Sequence, residues 1–267
     1  MASSAVVTAV ASSANRADPA RPGLTAPRPG PTGFVAFVSE RQPERDVYLV
    51  AAAGGPAERL TTAPGDDYPA AVSPDRRTLV TVRAETRADG AHRERLELLV
   101  ALGEREREAR PVFEARELTS PSGRWRNPVW LPDAGAVVAE SDRDGFVALY
   151  RVPLDGRAPE RLTDDRTGSF DPSVDPRGAF VAFASSRDGD AELYRLELGS
   201  RELRRLTWSE GDDATPRFAP DGSAIAYTSL RRGAFRAYLM GPDGAHPRPL
   251  LGAADAAEGA ETGFLAH

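Results

Sequence analysis

The feature that most constrains this chain is a Leu-Thr pair that returns at a fixed interval. It stands at Leu60-Thr61, Leu118-Thr119, Leu162-Thr163 and Leu206-Thr207, with Leu250-Leu251 as a worn fifth copy, and the steps are 58, 44, 44 and 44 residues. Fourteen residues after each of the first four leucines comes a proline, Pro74, Pro132, Pro176 and Pro220. Twelve residues before the leucines stand Tyr48, Tyr150, Tyr194 and Tyr238, and in the second copy Leu98 is expected to take that place. The 14 extra residues of the second copy are assigned to two insertions between strands, around Glu85 to Glu94 and Gly103 to Pro111, where added loop length costs little entropy. Markers that keep one phase over most of a chain signify a repeat architecture, in which each unit must cover its neighbour.

Within each copy the residues read as short strands, as in Phe34-Val-Ala-Phe-Val38, Ala179-Phe-Val-Ala-Phe183 and Ala224-Ile-Ala-Tyr-Thr228. Asp144-Gly145 and Asp188-Gly189 are strong hairpin dipeptides. Four strands per copy give an antiparallel sheet that cannot bury both faces alone, and radial stacking into a propeller solves this. The expectation is therefore an all-β chain: a β-propeller of four-stranded antiparallel blades, with five blades favoured and six as the alternative. A C-terminal strand near Phe264 is expected to complete the first blade. Residues 1–33, with the short apolar run Ala5 to Ala11 and a Pro-, Ala- and Arg-rich stretch after it, read as a leader or disordered linker, and residues 34–267 as the propeller.

Composition narrows the function. Net charge is -6 with both signs interspersed, so no basic stripe exists to neutralise a nucleic-acid backbone. No run approaches the roughly 18 apolar residues of a membrane span. With no cysteine, thiolate nucleophiles, disulfides and Cys-based zinc sites are excluded.

Asp46-Val-Tyr-Leu-Val-Ala-Ala-Ala-Gly-Gly-Pro-Ala-Glu-Arg-Leu-Thr61 and Thr215-Pro-Arg-Phe-Ala-Pro-Asp-Gly-Ser-Ala-Ile-Ala-Tyr227 resemble the WD-like repeat of the TolB family of propellers. The resemblance spans roughly residues 34 to 250. It implies a periplasmic or cell-envelope location and a protein-binding role, since TolB itself binds the lipoprotein Pal and TolA. TolB also has six blades and an N-terminal α/β domain, whereas this sequence shows five repeats and is expected to lack that domain. The same repeat serves enzymes, so the fold does not fix the function.

Candidates for chemistry are few. The three histidines, His92, His246 and His267, fall in an insertion, a turn and the terminus. Neither a nucleophile elbow nor a glycine-rich phosphate loop occurs. Asp142-Arg-Asp144-Gly and Asp188-Gly-Asp190 lack the glutamate that a calcium loop requires, and read as hairpin turns. No catalytic, cofactor or metal site is expected, and the chain is read as a monomeric non-enzyme. Its loops from each Leu-Thr to the next inner strand concentrate aromatic, Arg and acidic residues at one mouth of the ring. Asp67, Tyr68, Trp125, Arg126, Asn127, Phe170, Asp171, Trp208 and Asp213 are the candidate surface for another protein or a peptide, because Trp, Tyr and Arg are the usual anchors of such contacts. The alternatives are a propeller accessory to a hydrolase of the prolyl oligopeptidase kind and a carbohydrate-active propeller enzyme.

Overall fold

The computed structural model describes residues 7–11, 33–39, 44–51, 54–74, 78–86, 90, 92–102, 112–119 and 122–250. Among them lie twenty strands, no helix, and five four-stranded antiparallel sheets. The first sheet holds β1 (Val7–Ala11), β2 (Gly33–Ser39), β3 (Asp46–Ala51) and β4 (Glu58–Arg59). The second holds β5 (Asp66–Val72), β6 (Thr78–Thr86), β7 (His92–Leu102) and β8 (Val112–Glu117). The third holds β9 (Trp125–Trp130), β10 (Ala136–Ser141), β11 (Ala148–Pro153) and β12 (Glu160–Arg161), and the fourth β13 (Ser169–Val174), β14 (Phe180–Ser185), β15 (Glu192–Glu197) and β16 (Leu203–Arg205). β17 (Asp213–Phe218), β18 (Ile225–Arg231), β19 (Ala234–Met240) and β20 (Arg248–Pro249) make the fifth. Each sheet is a simple meander, and the innermost strands β1, β5, β9, β13 and β17 follow one another side by side.

The Leu-Thr pair is the clasp that closes each sheet. The leucine N–H donates to the carbonyl of a residue on the third strand: Leu60 to Val47, Leu118 to Leu96, Leu162 to Leu149, Leu206 to Leu193 and Leu250 to Ala237, at 2.7 to 2.9 Å. The threonine Oγ1 accepts the N–H of that same residue in the first four copies, at 2.9 to 3.0 Å. A short fourth strand is thus tied down by a side chain where the ladder runs out, which satisfies a buried donor. The five leucines occupy equivalent places in five successive sheets.

The apolar core is divided among the junctions between sheets. Leu79, Val47 and Ala36 pack at the first junction, and Val80, Leu96, Trp125, Val137 and Tyr150 at the second. Val138, Leu149, Phe183 and Leu196 fill the third, and Leu193, Leu206, Ile225 and Tyr227 the fourth. Strand alternation explains this: consecutive residues face opposite neighbours, so a sheet with a neighbour on each side supplies two junctions.

Three expectations change. The inner edge of the first sheet is taken by Val7–Ala11, paired from Val7↔Phe37 to Ala11↔Gly33, and not by a C-terminal strand. The N-terminal region holds too few β-formers for a whole blade, but one edge strand needs only five residues, and the segment Val-Thr-Ala-Val-Ala is β-forming in sequence. The expected closing strand near Phe264 lies outside the described residues. In the second sheet Thr81 pairs with Glu97, as Phe37, Ala139, Phe183 and Tyr227 pair with the tyrosines of the other sheets. Glu97, and not Leu98, therefore holds the tyrosine register. The first insertion is partly strand: the β6–β7 ladder continues beyond Arg83↔Arg95 through Ala84↔Glu94, Glu85↔Arg93 and Thr86↔His92. The second insertion lies outside the described residues, apart from the ends of β7 and β8.

Candidate binding face

The loop after each Leu-Thr leads into the start of the next innermost strand, so the starts of β5, β9, β13 and β17 share one end of the stack. Their backbones are docked on the preceding sheet. Asp67, Ser169 and Asp213 donate their N–H to the carbonyls of Arg45, Val147 and Ala191, at 2.7, 3.0 and 2.7 Å. These loops also pass close to the second strand of their own sheet. A Cβ on Gly65 would lie 2.8 Å from the Ala84 carbonyl oxygen, and one on Gly211 would lie 2.3 Å from that of Leu230. Glycine is needed there for close approach, a recurrence that the sequence reading did not single out although Gly65 and Gly211 each precede an aspartate, Asp67 and Asp213, by two residues.

The nine candidate residues divide into two groups. Asp67, Trp125 and Asp213 occupy one repeat position and are wholly buried between sheets, so they form no part of an accessible surface. The reason is the two-residue period of a strand: adjacent residues at a strand start cannot both face the mouth. Tyr68, Phe170 and Asp171 are partly exposed, and Arg126, Asn127 and Trp208 are exposed. Trp208 is the outstanding case, with 69% of its surface open and the Arg205 guanidinium 5.6 Å from its ring centroid.

The exposed group is held by polar contacts that cross the junctions. Arg45 of the first sheet donates to the Tyr68 hydroxyl at 2.7 Å, and its N–H meets Asp66 at 2.8 Å. At the next junction the Arg126 guanidinium chelates Glu94, with one bond at 2.9 Å. Asn127 and Asp171 sit in the left-handed region, with φ of 47° and 54°, at the bulges of β9 and β13. Both turn toward the buried Glu140: the Asn127 Nδ2 and the Asp171 N–H donate to its Oε1 at 2.8 and 2.7 Å. Burial pushes the Glu140 carboxyl up, and these two hydrogen bonds oppose the rise. Phe170 folds back over Gly168, whose absent Cβ leaves room for the ring.

Below the face, every sheet fills the same interior layer differently. Phe37 and Tyr48 stack in the first, Trp125 meets Tyr150 edge-on at 5.3 Å in the third, Phe183 stacks on Tyr194 in the fourth, and Tyr227 lies against Tyr238 in the fifth. The second sheet uses ions. Arg83 donates to Asp67 at 2.9 and 2.7 Å and lies 3.1 Å from Glu97, while Arg95 bridges Glu97 and Glu85. The aspartates of the Asp-Gly hairpins serve the tyrosines: Asp144 accepts the Tyr150 hydroxyl at 2.6 Å and Asp188 that of Tyr194 at 2.5 Å, with Arg161 and Arg205 beside them. Both aspartates lie in the turns between the second and third strands of their sheets, as expected of them. Among the described residues no group of three or more His, Cys, Asp or Glu is placed to hold a metal ion, and no helix is long and apolar enough to cross a membrane.

Comparison with known proteins agrees with this architecture. Residues 165–257 match the TolB beta propeller domain. An uncharacterised protein of Agrobacterium fabrum is 36% identical over 66 residues, which are 25% of this chain and 22% of that protein. TolB from Acinetobacter baumannii superposes with a TM-score of 0.60 at 20% identity, over 80% of this chain and 50% of that one. A structure assigned as TolB from Agrobacterium tumefaciens gives 0.61 at 23% identity, over 82% and 76%. A puromycin-hydrolyzing peptidase of Mycobacterium tuberculosis gives 0.64 at 18% identity, over 82% of this chain and 35% of that one. The chain thus spans half the length of the Acinetobacter TolB and about a third of the peptidase. The fold and the repeat lead to one assignment: this chain is a β-propeller protein that carries the TolB-type repeat.

Proposed function

We propose that the chain is a non-enzymatic binding protein of the bacterial envelope, its five sheets serving as five blades and its loop-bearing mouth holding a protein or peptide. The observation that carries this reading is Trp208. A side chain of this size stands 69% exposed directly after a clasp threonine, although the same fold buries Trp125 completely. An open indole beside a guanidinium is the kind of anchor that binding surfaces concentrate. Tyr68, Arg126, Asn127, Phe170 and Asp171 complete the face. The envelope location rests on the likeness to TolB proteins.

A second reading, a propeller accessory to a hydrolase, is favoured by the likeness to the puromycin-hydrolyzing peptidase. The two are separated by crosslinking the wild-type chain and Trp208→Ala in envelope extract, followed by identification of the trapped partner. A non-hydrolase trapped at the mouth and lost in the variant supports the first reading. Equal trapping by both chains overturns it, and a hydrolase as the trapped partner transfers support to the second.

A further inference from the structure

The first and fourth junctions are built alike, and the difference between them points to a site. At the first junction Asp46 opens the third strand, the Thr61 hydroxyl donates to it at 3.1 Å, Arg59 pairs with it at 2.7 Å, and Asp67 faces it from the next sheet. At the fourth junction Glu192 takes the place of Asp46, with Thr207 at 2.5 Å and Arg205 at 2.8 Å, and Asp213 takes the place of Asp67. Both junctions therefore bury two carboxylates beside one arginine. At the first, Asp67 has a guanidinium of its own sheet, because Arg83 stands directly across the ladder from it, and the buried Glu97 that shares Arg83 is also paired with Arg95. At the fourth, the residue across the ladder from Asp213 is Ser229.

The consequence is visible in the side-chain contacts. Asp213 is fully buried and neither carboxylate oxygen has a hydrogen-bond partner. Tyr227, on the same face of the sheet, is also fully buried, and its hydroxyl has no partner. Burial raises the Tyr227 hydroxyl to about 12, and the Asp213 charge adds to the rise. The same charge helps to hold the Glu192 carboxyl up. A carboxyl buried without a hydrogen-bond partner is stabilised by whatever neutralises it, a proton or a bound counter-charge, and the arginine of this junction, Arg205, is already engaged by Glu192.

We propose that the fourth junction binds a small monovalent cation at Asp213, in the role that the Arg83 guanidinium plays at the first junction. One carboxylate and neutral oxygens such as the Tyr227 hydroxyl suit potassium or ammonium, whereas a divalent ion would call for more carboxylates than converge here. The site lies inside the stack and does not rest on the proposed binding role of the mouth, although Arg205 touches both Glu192 and Trp208.

The test is thermal unfolding of the purified chain in potassium, ammonium and tetramethylammonium chloride at equal ionic strength. Potassium or ammonium is expected to raise Tm by a few degrees over tetramethylammonium, in a manner that saturates with concentration. Asp213→Asn and Asp213→Ser should unfold at one temperature in all three salts; serine is the residue that Ser169 supplies at this position in the fourth sheet. Equal Tm values for wild type in the three salts overturn the proposal, as does an undiminished response in either variant. If one variant does not fold, the other and the wild-type salt series still decide.

Discussion

Arg83 and Asp67 form a two-point ion pair inside the second sheet, with Nε to Oδ1 at 2.9 Å and Nη2 to Oδ2 at 2.7 Å, at a position where the other sheets place no arginine. The counterparts of Arg83 are Ser141, Ser185 and Ser229, each across the ladder from the start of its innermost strand. The pair is compensated by a concerted exchange: Thr81 and Glu97 occupy the layer that Phe183 and Tyr194 fill in the fourth sheet. Removing the smaller aromatic layer makes space for the guanidinium, and Glu97 completes its coordination.

Arg83→Ser should then be among the most damaging substitutions in the chain. It leaves Asp67 buried without its guanidinium and Glu97 with Arg95 alone, a loss of about 3–5 kcal/mol. Asp67→Ser in that background restores the Ser/Ser pair of the fourth sheet and should recover a substantial part of the loss. Urea unfolding of the single and double variants measures both. A single variant that unfolds at the wild-type midpoint would show that the pair contributes nothing.

The clasp offers a cleaner perturbation. Thr163 accepts the Leu149 N–H at 3.0 Å, and both groups are buried. Thr163→Val keeps the shape and orphans the donor, so a loss of roughly 1–3 kcal/mol is expected. Thr163→Ser keeps the acceptor and loses a methyl group, worth about 1 kcal/mol or less. Equal losses in the two variants would mean that the hydroxyl is not what recurs in the repeat.

Much of this was legible in the sequence, and the reasons differ by feature. The 44-residue period, the Leu-Thr clasp and the Asp-Gly hairpins were legible because each is a local chemical requirement repeated in phase. The register of the second sheet was not: a glutamate replaces the tyrosine one residue before a leucine, and only the ladder distinguishes Glu97 from Leu98. The strand Val7–Ala11 was hidden because it is separated from β2 by 21 residues, whereas β17 and β18 are separated by six. At the mouth, grouping consecutive residues such as Trp125 and Arg126 overlooked the alternation that sends one inward and the next outward.

That alternation separates two tryptophans that composition treats alike. Trp125 is fully buried against Tyr150, so Trp125→Ala should cost about 3–5 kcal/mol and report on stability alone. Trp208→Ala removes an exposed ring and should leave stability within about 0.5 kcal/mol of wild type. Chemical denaturation of the two variants checks the contrast. A large loss in Trp208→Ala would assign that side chain to the architecture and remove it from the binding face.

Glu140 gives the stack a pH dependence of predictable sign. Burial raises its carboxyl above the ordinary range near 4.5, with Asp171 adding to the rise, while the hydrogen bonds from Asn127 and Asp171 and the charge of Arg126 oppose it. The folded chain therefore holds this proton to higher pH than the unfolded chain. Its contribution is present in full below the ordinary range and is lost as pH rises through the folded value. Glutamine cannot ionise, and its carbonyl can accept the same two hydrogen bonds, so Glu140→Gln should gain stability relative to wild type as pH rises from about 4 to 7. Paired Tm measurements across that range read the difference. A gap that stays constant with pH would mean that the Asn127 and Asp171 donors and Arg126 offset burial in full.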